Sequence, residues 1–183
     1  MIRVVVTGSE CTGKSTLASA LAAHFDLPAP AEAAREFVRR ERRAPTAGDV
    51  DAIAHEHLAI EARLASAHSG LAILDTDLLS TVVYARHYYG DVPDWVESHL
   101  RRNPADLYLL AGIDVPWVAD RLQRDRGHRR REMQALFREA LAALSARYVE
   151  ISGPPGDRMR TALAAIGSLR GDRRGRPEPC PPR

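Results

Sequence analysis

The sequence predicts an α/β fold, a parallel sheet covered by helices on both faces, and three observations carry that prediction. A β-branched run, Arg3-Val4-Val5-Val6-Thr7, ends at a glycine-containing loop that leads straight into a segment of helical apolar spacing, Thr16 to Phe25. Two further runs, Leu71-Ala72-Ile73-Leu74-Asp75 and Asp106-Leu107-Tyr108-Leu109-Leu110-Ala111, are apolar without alternation, as strands buried on both faces are. Strand-like and helix-like segments alternate along the chain, which calls for crossover connections and parallel pairing. In such sheets ligands bind beyond the carboxyl ends of the strands.

The elements follow in order. After the first strand and helix, Leu27-Pro28-Ala29-Pro30-Ala31 reads as a connection or a second, edge strand, and Glu32 to Arg43 as a helix that Pro45 interrupts. Another helix runs from about Ala47 to Ser69 and stops at Gly70, where the Leu71 strand begins. Helices are expected from Asp77 to Tyr89 and from Pro93 to Arg102, then the Asp106 strand, a helix from Val115 to Arg124 and another from Gln134 to Ala146. Arg147-Tyr148-Val149-Glu150-Ile151 is the last strand and Gly156 to Leu169 the closing helix. Residues 1–169 therefore read as one domain, and 170–183 as a disordered, basic, Pro- and Gly-rich tail.

Composition bounds the function. The chain has 183 residues, 45% hydrophobic and 27% charged, which suits one globular domain with a sizeable core. Its net charge of +2 is uneven, because the tail carries five arginines against two acids and leaves the body at −1. A nearly neutral body with 5% aromatics argues against a nucleic-acid surface. No apolar run is long enough to span a bilayer and no basic leader precedes the first strand, so membrane insertion is not expected and a soluble, cytoplasmic protein is. Cys11 and Cys180 form neither a disulfide framework nor a metal-ligand spacing.

The loop after the first strand carries the clearest chemistry. Gly8-Ser9-Glu10-Cys11-Thr12-Gly13-Lys14-Ser15-Thr16 satisfies the phosphate-loop pattern G-x-x-x-x-G-K-[ST] at every fixed position. Its glycines let successive N–H groups turn inward around a phosphate, and the helix behind adds the partial positive charge of its N-terminus. Lys14 then serves the β- and γ-phosphates of ATP, and the Ser15 hydroxyl serves Mg²⁺. Lys14 is also the single lysine among 26 basic residues, the one position where a slim ammonium was not exchanged for a guanidinium.

Other candidates fall on the same predicted rim. Asp75-Thr76-Asp77 ends a buried strand and supplies two carboxylates, Asp75 for the metal and Asp77 for substrate or as the general base; a helix N-cap is the structural alternative for Asp77. Glu32 and Arg35, three residues apart, share a helical face; they either grip the acceptor, with Glu32 a rival base, or form a surface ion pair. Six arginines between Arg121 and Arg131 suggest a small lid, with Arg121 and Arg131 the candidates to reach the transferred phosphoryl group. Tyr84 and Trp117 are candidates to hold a flat ring, although burial in the core is the commoner fate of such side chains.

Taken together, Gly8-Ser9-Glu10 through Ser15, Glu32-x-x-Arg35-Glu36-Phe37-Val38, Asp75-Thr76-Asp77 with Ser80-Thr81, Tyr89-Gly90 and Trp117-x-x-Asp120 resemble the ribosylnicotinamide kinase domain of NadR-type proteins. The resemblance covers about residues 1–169. It implies a P-loop kinase-like three-layer sandwich with five parallel strands in the order 2-3-1-4-5. It also implies ATP- and Mg²⁺-dependent phosphorylation of nicotinamide riboside to nicotinamide mononucleotide in NAD salvage. The adenylyltransferase and DNA-binding segments of larger members have no counterpart ahead of Met1, so those activities are expected to be absent. Two alternatives stay open: a kinase for another nucleoside, nucleotide or vitamin, and a regulatory NTP-binding module. The oligomeric state is not specified by the sequence.

Overall fold

The computed structural model describes residues 1–67, 70–117 and 129–174. Four parallel strands form the sheet in the order β2-β1-β3-β4, with β1 at Ile2–Thr7, β2 at Leu71–Asp75, β3 at Leu107–Ala111 and β4 at Tyr148–Ile151. Register pairs Val6 with Asp75 on one side and with Leu109 on the other, and Ala111 with Ile151. The strands therefore release their chains at one common edge, where Gly8, Thr76, Gly112 and Ser152 follow.

The expected five-stranded order 2-3-1-4-5 is corrected to four strands. The segment that should have been the second strand, 27–31, forms no ladder. Pro28 and Pro30 each lack the N–H that a ladder needs, and alternate residues of the run are thereby disqualified from donating. Removing that edge strand from the expected order leaves the observed one, so the topology of the other four is as expected.

Alternation along each strand divides the core into two layers. Val4 and Val6, with Ile73, Leu107 and Leu109, face α1 (Lys14–His24) and α7 (Pro155–Arg174) through Leu17, Leu21, Ala162 and Ile166. Val5, Leu74, Tyr108 and Leu110 face the opposite layer. That layer holds α2 (Ala33–Glu41), α3 (Val50–Ala67), α4 (Leu78–Tyr89), α5 (Asp94–Arg102) and α6 (Arg130–Ala143). Phe37, Ile53, Val82, Val96 and Phe137 are buried there. A 3₁₀ turn, Ala47–Asp49, precedes α3 and is closed by a reciprocal Thr46–Asp49 capping box.

Helix ends depart from expectation for local reasons. The helix from Glu32 begins one residue later because Glu32 is its extended N-cap, and it stops at Arg42 in the left-handed region, φ 54°. The helix expected from Val115 does not include residues 115–117, and its remainder lies outside the described residues. The closing helix runs past Leu169 to Arg174; the rest of the basic tail lies outside the described residues. No helix among the described residues is long and apolar enough to cross a membrane.

Candidate active site

At the common edge of the strands the chain builds a cavity of about 450 Å³ between the β1–α1 loop and helices α2, α3 and α4. The loop residues Glu10 to Thr16 line one end. Gly8 makes the turn out of β1 at φ 124°, so close to β3 that a Cβ would stand 2.9 Å from the Ala111 carbonyl oxygen. Gly13 caps α1 in the left-handed region, φ 80°, which an L residue enters only with strain. Lys14 Nζ donates to the Ser9 carbonyl at 2.7 Å, and the buried Thr12 hydroxyl donates to the same oxygen at 2.8 Å.

The other end is organised by α2, α3 and α4. Glu32 and Arg35 both line the cavity, joined at 2.9 Å, with Glu32 largely covered and Arg35 largely exposed. Burial and the neighbouring Asp75 push the Glu32 carboxyl above its ordinary value, against the pull of Lys14 and Arg35. Burial lowers Lys14, while Glu32, Asp75 and Glu10 draw it back up. Lys14 and Glu32 thus share one electrostatic environment. Tyr84 and Tyr88 lie parallel, ring centroids 6.2 Å apart, and both line the cavity with Val38, Ile53 and His57. His57 is buried, and desolvation lowers its pKa to about 4, so it is neutral at pH 7.

The two carboxylates of Asp75-Thr76-Asp77 part company. Thr76 adopts φ 67°, left-handed and unusual for a β-branched residue, and this breaks the strand alternation that would have aimed both acids the same way. Asp75 is buried at the strand end, and its Oδ1 has no hydrogen-bond partner among the described residues. A buried carboxylate oxygen left unpaired beside the phosphate loop fits a divalent cation, with the Ser15 hydroxyl as its companion on the loop. Asp77 instead caps α4: Oδ1 accepts from the Leu79 N–H at 3.0 Å and Oδ2 accepts from the Tyr108 hydroxyl at 3.0 Å. Burial raises it to about 7, with both hydrogen bonds acting the other way. Asp77 does not line the cavity and adopts the helix-capping alternative.

Of the remaining candidates, Glu10, Cys11, Thr12, Gly13, Lys14, Ser15, Thr16 and Tyr84 line the cavity. Trp117 is 38% exposed and does not. Arg131 is exposed on the first turn of α6, also away from the cavity lining, and Arg121 lies outside the described residues.

Sequence reading missed three side chains behind the loop. Arg130 donates to the Cys11 carbonyl at 3.2 Å and Arg158 to the Thr12 carbonyl at 2.9 Å. Gln134 accepts from the Ser9 N–H at 3.3 Å and donates to the Ala111 carbonyl at 3.1 Å. The available signal was the placing of Arg158 in the first turn of the expected closing helix, the end that disfavours a cation; Arg130 precedes the helix expected from Gln134 and gave no such signal.

Comparison with known proteins bears on the family and the fold. Residues 3–158 match a family model described as an AAA domain. The chain is 28% identical over 178 residues to the trifunctional NAD biosynthesis/regulator protein NadR of Escherichia coli K12, covering 93% of this chain and 43% of that protein. A crystal structure of a NadR protein in complex with NR is similar at a TM-score of 0.70 and 25% identity, over 93% of this chain and 52% of that one. Deoxyadenosine kinase from M. mycoides, solved with dATP, shares the fold at a TM-score of 0.60 and 11% identity, over 91% of this chain and 100% of its own. The likeness to NadR-type kinase domains read from the motifs therefore holds in sequence and in fold. The chain spans less than half of the curated relative and about half of the solved NadR chain.

Proposed function

The chain belongs to the AAA-domain family matched over residues 3–158, and from that premise we propose that it is an ATP-dependent kinase that phosphorylates nicotinamide riboside to nicotinamide mononucleotide. The observation that carries the proposal is that Lys14 and Glu32 line one cavity and act on each other electrostatically. A phosphate anchor and a carboxylate of raised proton affinity in one cavity suit transfer to a hydroxyl.

In the proposed reaction the phosphate-loop N–H groups and Lys14 hold ATP with its γ-phosphoryl toward the acceptor. Glu32 takes the proton from a ribose hydroxyl as that oxygen bonds to the γ-phosphorus and the bond to the bridging oxygen breaks, releasing ADP. Arg35, paired with Glu32, orients the carboxylate and offers a guanidinium at the acceptor. Ser15 and Asp75 would hold Mg²⁺, which would supply charge neutralisation for phosphoryl transfer. Ring recognition falls to Tyr84 and Tyr88. Their faces, together with the carboxylates Glu10, Glu32 and Asp75 around Lys14, suit a flat cationic base such as the nicotinamide ring.

The test is ADP release measured across a panel of nicotinamide riboside, neutral purine and pyrimidine nucleosides, and no acceptor. Release stimulated most by nicotinamide riboside supports the reading. Equal release without an acceptor favours an NTP-hydrolysing module, and stimulation by another nucleoside transfers the activity to that acceptor.

A further inference from the structure

The nucleotide-binding face of a phosphate loop consists of N–H groups, which obliges the carbonyls of the same peptide units to point the opposite way, into the protein. Buried carbonyls without partners are costly. Here two buried arginines receive them. Arg130 Nη2 takes the Cys11 carbonyl and Nη1 the Val115 carbonyl at 2.9 Å. Arg158 Nη1 takes the Thr12 carbonyl, Nε the Gly153 carbonyl at 2.8 Å, and Nη2 both the Gly112 carbonyl at 3.3 Å and Asp114 Oδ1 at 2.5 Å. Asp114 is fixed in turn, since its Oδ2 accepts from the Gly153 N–H at 2.6 Å.

A trans peptide carries its C=O and its N–H on opposite sides, and the described chain has no cis bond. Holding the Cys11 carbonyl therefore aims the Thr12 N–H away from Arg130, and holding the Thr12 carbonyl aims the Gly13 N–H away from Arg158. Thr12 and Gly13 are both cavity-lining residues. Each arginine also lies in the first turn of its helix, where the dipole opposes it, and neither exceeds 6% exposure. A cation desolvated at the unfavourable end of a helix needs compensation, and the loop carbonyls supply it.

We infer that Arg130 and Arg158 are positioning residues for phosphate binding: from behind the loop they set the peptide planes that present the Thr12 and Gly13 N–H groups to an anion. Arg158 extends this to the loops after β3 and β4, joining three strand ends through one guanidinium. The inference rests on the reading that Gly8–Thr16 binds the phosphates of ATP, and is independent of which acceptor is used.

The test compares Arg130→Gln, Arg158→Gln and Arg158→Lys with the unaltered chain by calorimetric titration with tripolyphosphate and with ATP, alongside melting temperature and titration with nicotinamide riboside. The expected result is roughly ten- to hundredfold weaker binding of both polyphosphates in the glutamine variants, the range set by hydrogen bonds to a charged group. Partial recovery is expected in Arg158→Lys, with riboside affinity little changed in all three variants and melting temperature lowered where buried carbonyls lose their donor. Unchanged polyphosphate affinity in the glutamine variants overturns the inference, as does a loss of riboside affinity as large as the loss of polyphosphate affinity, which marks a purely structural role. Should Arg158→Gln fail to fold, Arg130→Gln decides alone, because it surrenders only the Cys11 and Val115 carbonyls. If the unaltered chain binds polyphosphate but not the riboside, the acceptor reading fails while the polyphosphate comparison still decides this one.

Discussion

Tyr108 donates its hydroxyl hydrogen to Asp77 Oδ2 across 3.0 Å, from the middle of the sheet to the cap of α4. That bond, with the one from Leu79 N–H, occupies both carboxylate oxygens of Asp77. In the proposed reaction Glu32 is the base, and Glu32→Gln is expected to lower kcat by roughly 10²- to 10⁴-fold with little change in the KM for ATP. Asp77→Asn is expected to keep kcat within a few fold. Steady-state kinetics on both variants checks the pair, and the opposite ranking would restore Asp77 as the base.

Stability should respond to pH through two buried groups of opposite sign. Asp77 titrates at about 7 in the fold against an ordinary 3.8, so between those values the native state holds a proton that the unfolded chain has released. Its contribution is complete below 3.8 and is lost as pH rises through about 7. His57 is lowered to about 4 from 6.5, so between those values the unfolded chain binds the extra proton and stability rises with pH. Relative to the unaltered chain, Asp77→Asn should gain stability as pH rises through its window, and His57→Gln should lose it. Denaturant unfolding at several pH values measures both differences.

Replacing the single lysine by the residue used elsewhere in the chain tests its chemistry. A guanidinium is larger and planar, and cannot present a point charge on a flexible stem from the start of α1. Lys14→Arg is expected to lose roughly 10²-fold or more in kcat. Amine-directed labelling followed by peptide mapping should find Lys14 protected by ATP, because phosphate would occupy the ammonium that now donates to Ser9.

The two loop glycines should differ in stability cost. At Gly8 a Cβ meets the Ala111 carbonyl at 2.9 Å and Leu110 Cδ1 at 3.3 Å, on a backbone at φ 124°. Gly8→Ala is expected to cost about 2 kcal/mol or more, because the obstacle is backbone. Gly13 has nothing within 4 Å, so Gly13→Ala should cost only the left-handed strain, about 1 kcal/mol. Thermal or denaturant unfolding of the two variants ranks them.

Much of the frame was legible because it depends on local pattern. Val4, Val5 and Val6 declare a strand by branching and a doubly buried one by lack of alternation, and the loop that follows is specified by its glycines and lysine. What escaped depended on a single dihedral or on distant partners. The segment 27–31 joins no ladder although its apolar content looked adequate, and Pro28 and Pro30 leave it N–H donors along one edge only, which composition does not count. Thr76 turned left-handed and separated Asp75 from Asp77, which strand periodicity cannot foresee. Arg158 reaches Thr12 across 146 residues of sequence, and only its placing at the wrong end of a helix hinted at a buried partner.

Mass-spectrometric detection of the phosphorylated product from nicotinamide riboside, ATP and Mg²⁺ tests the central claim most directly. The account predicts nicotinamide mononucleotide in step with ADP, and its loss in Lys14→Ala and Glu32→Gln proteins that still fold. ADP released without nicotinamide mononucleotide, or undiminished product in both variants, would contradict it.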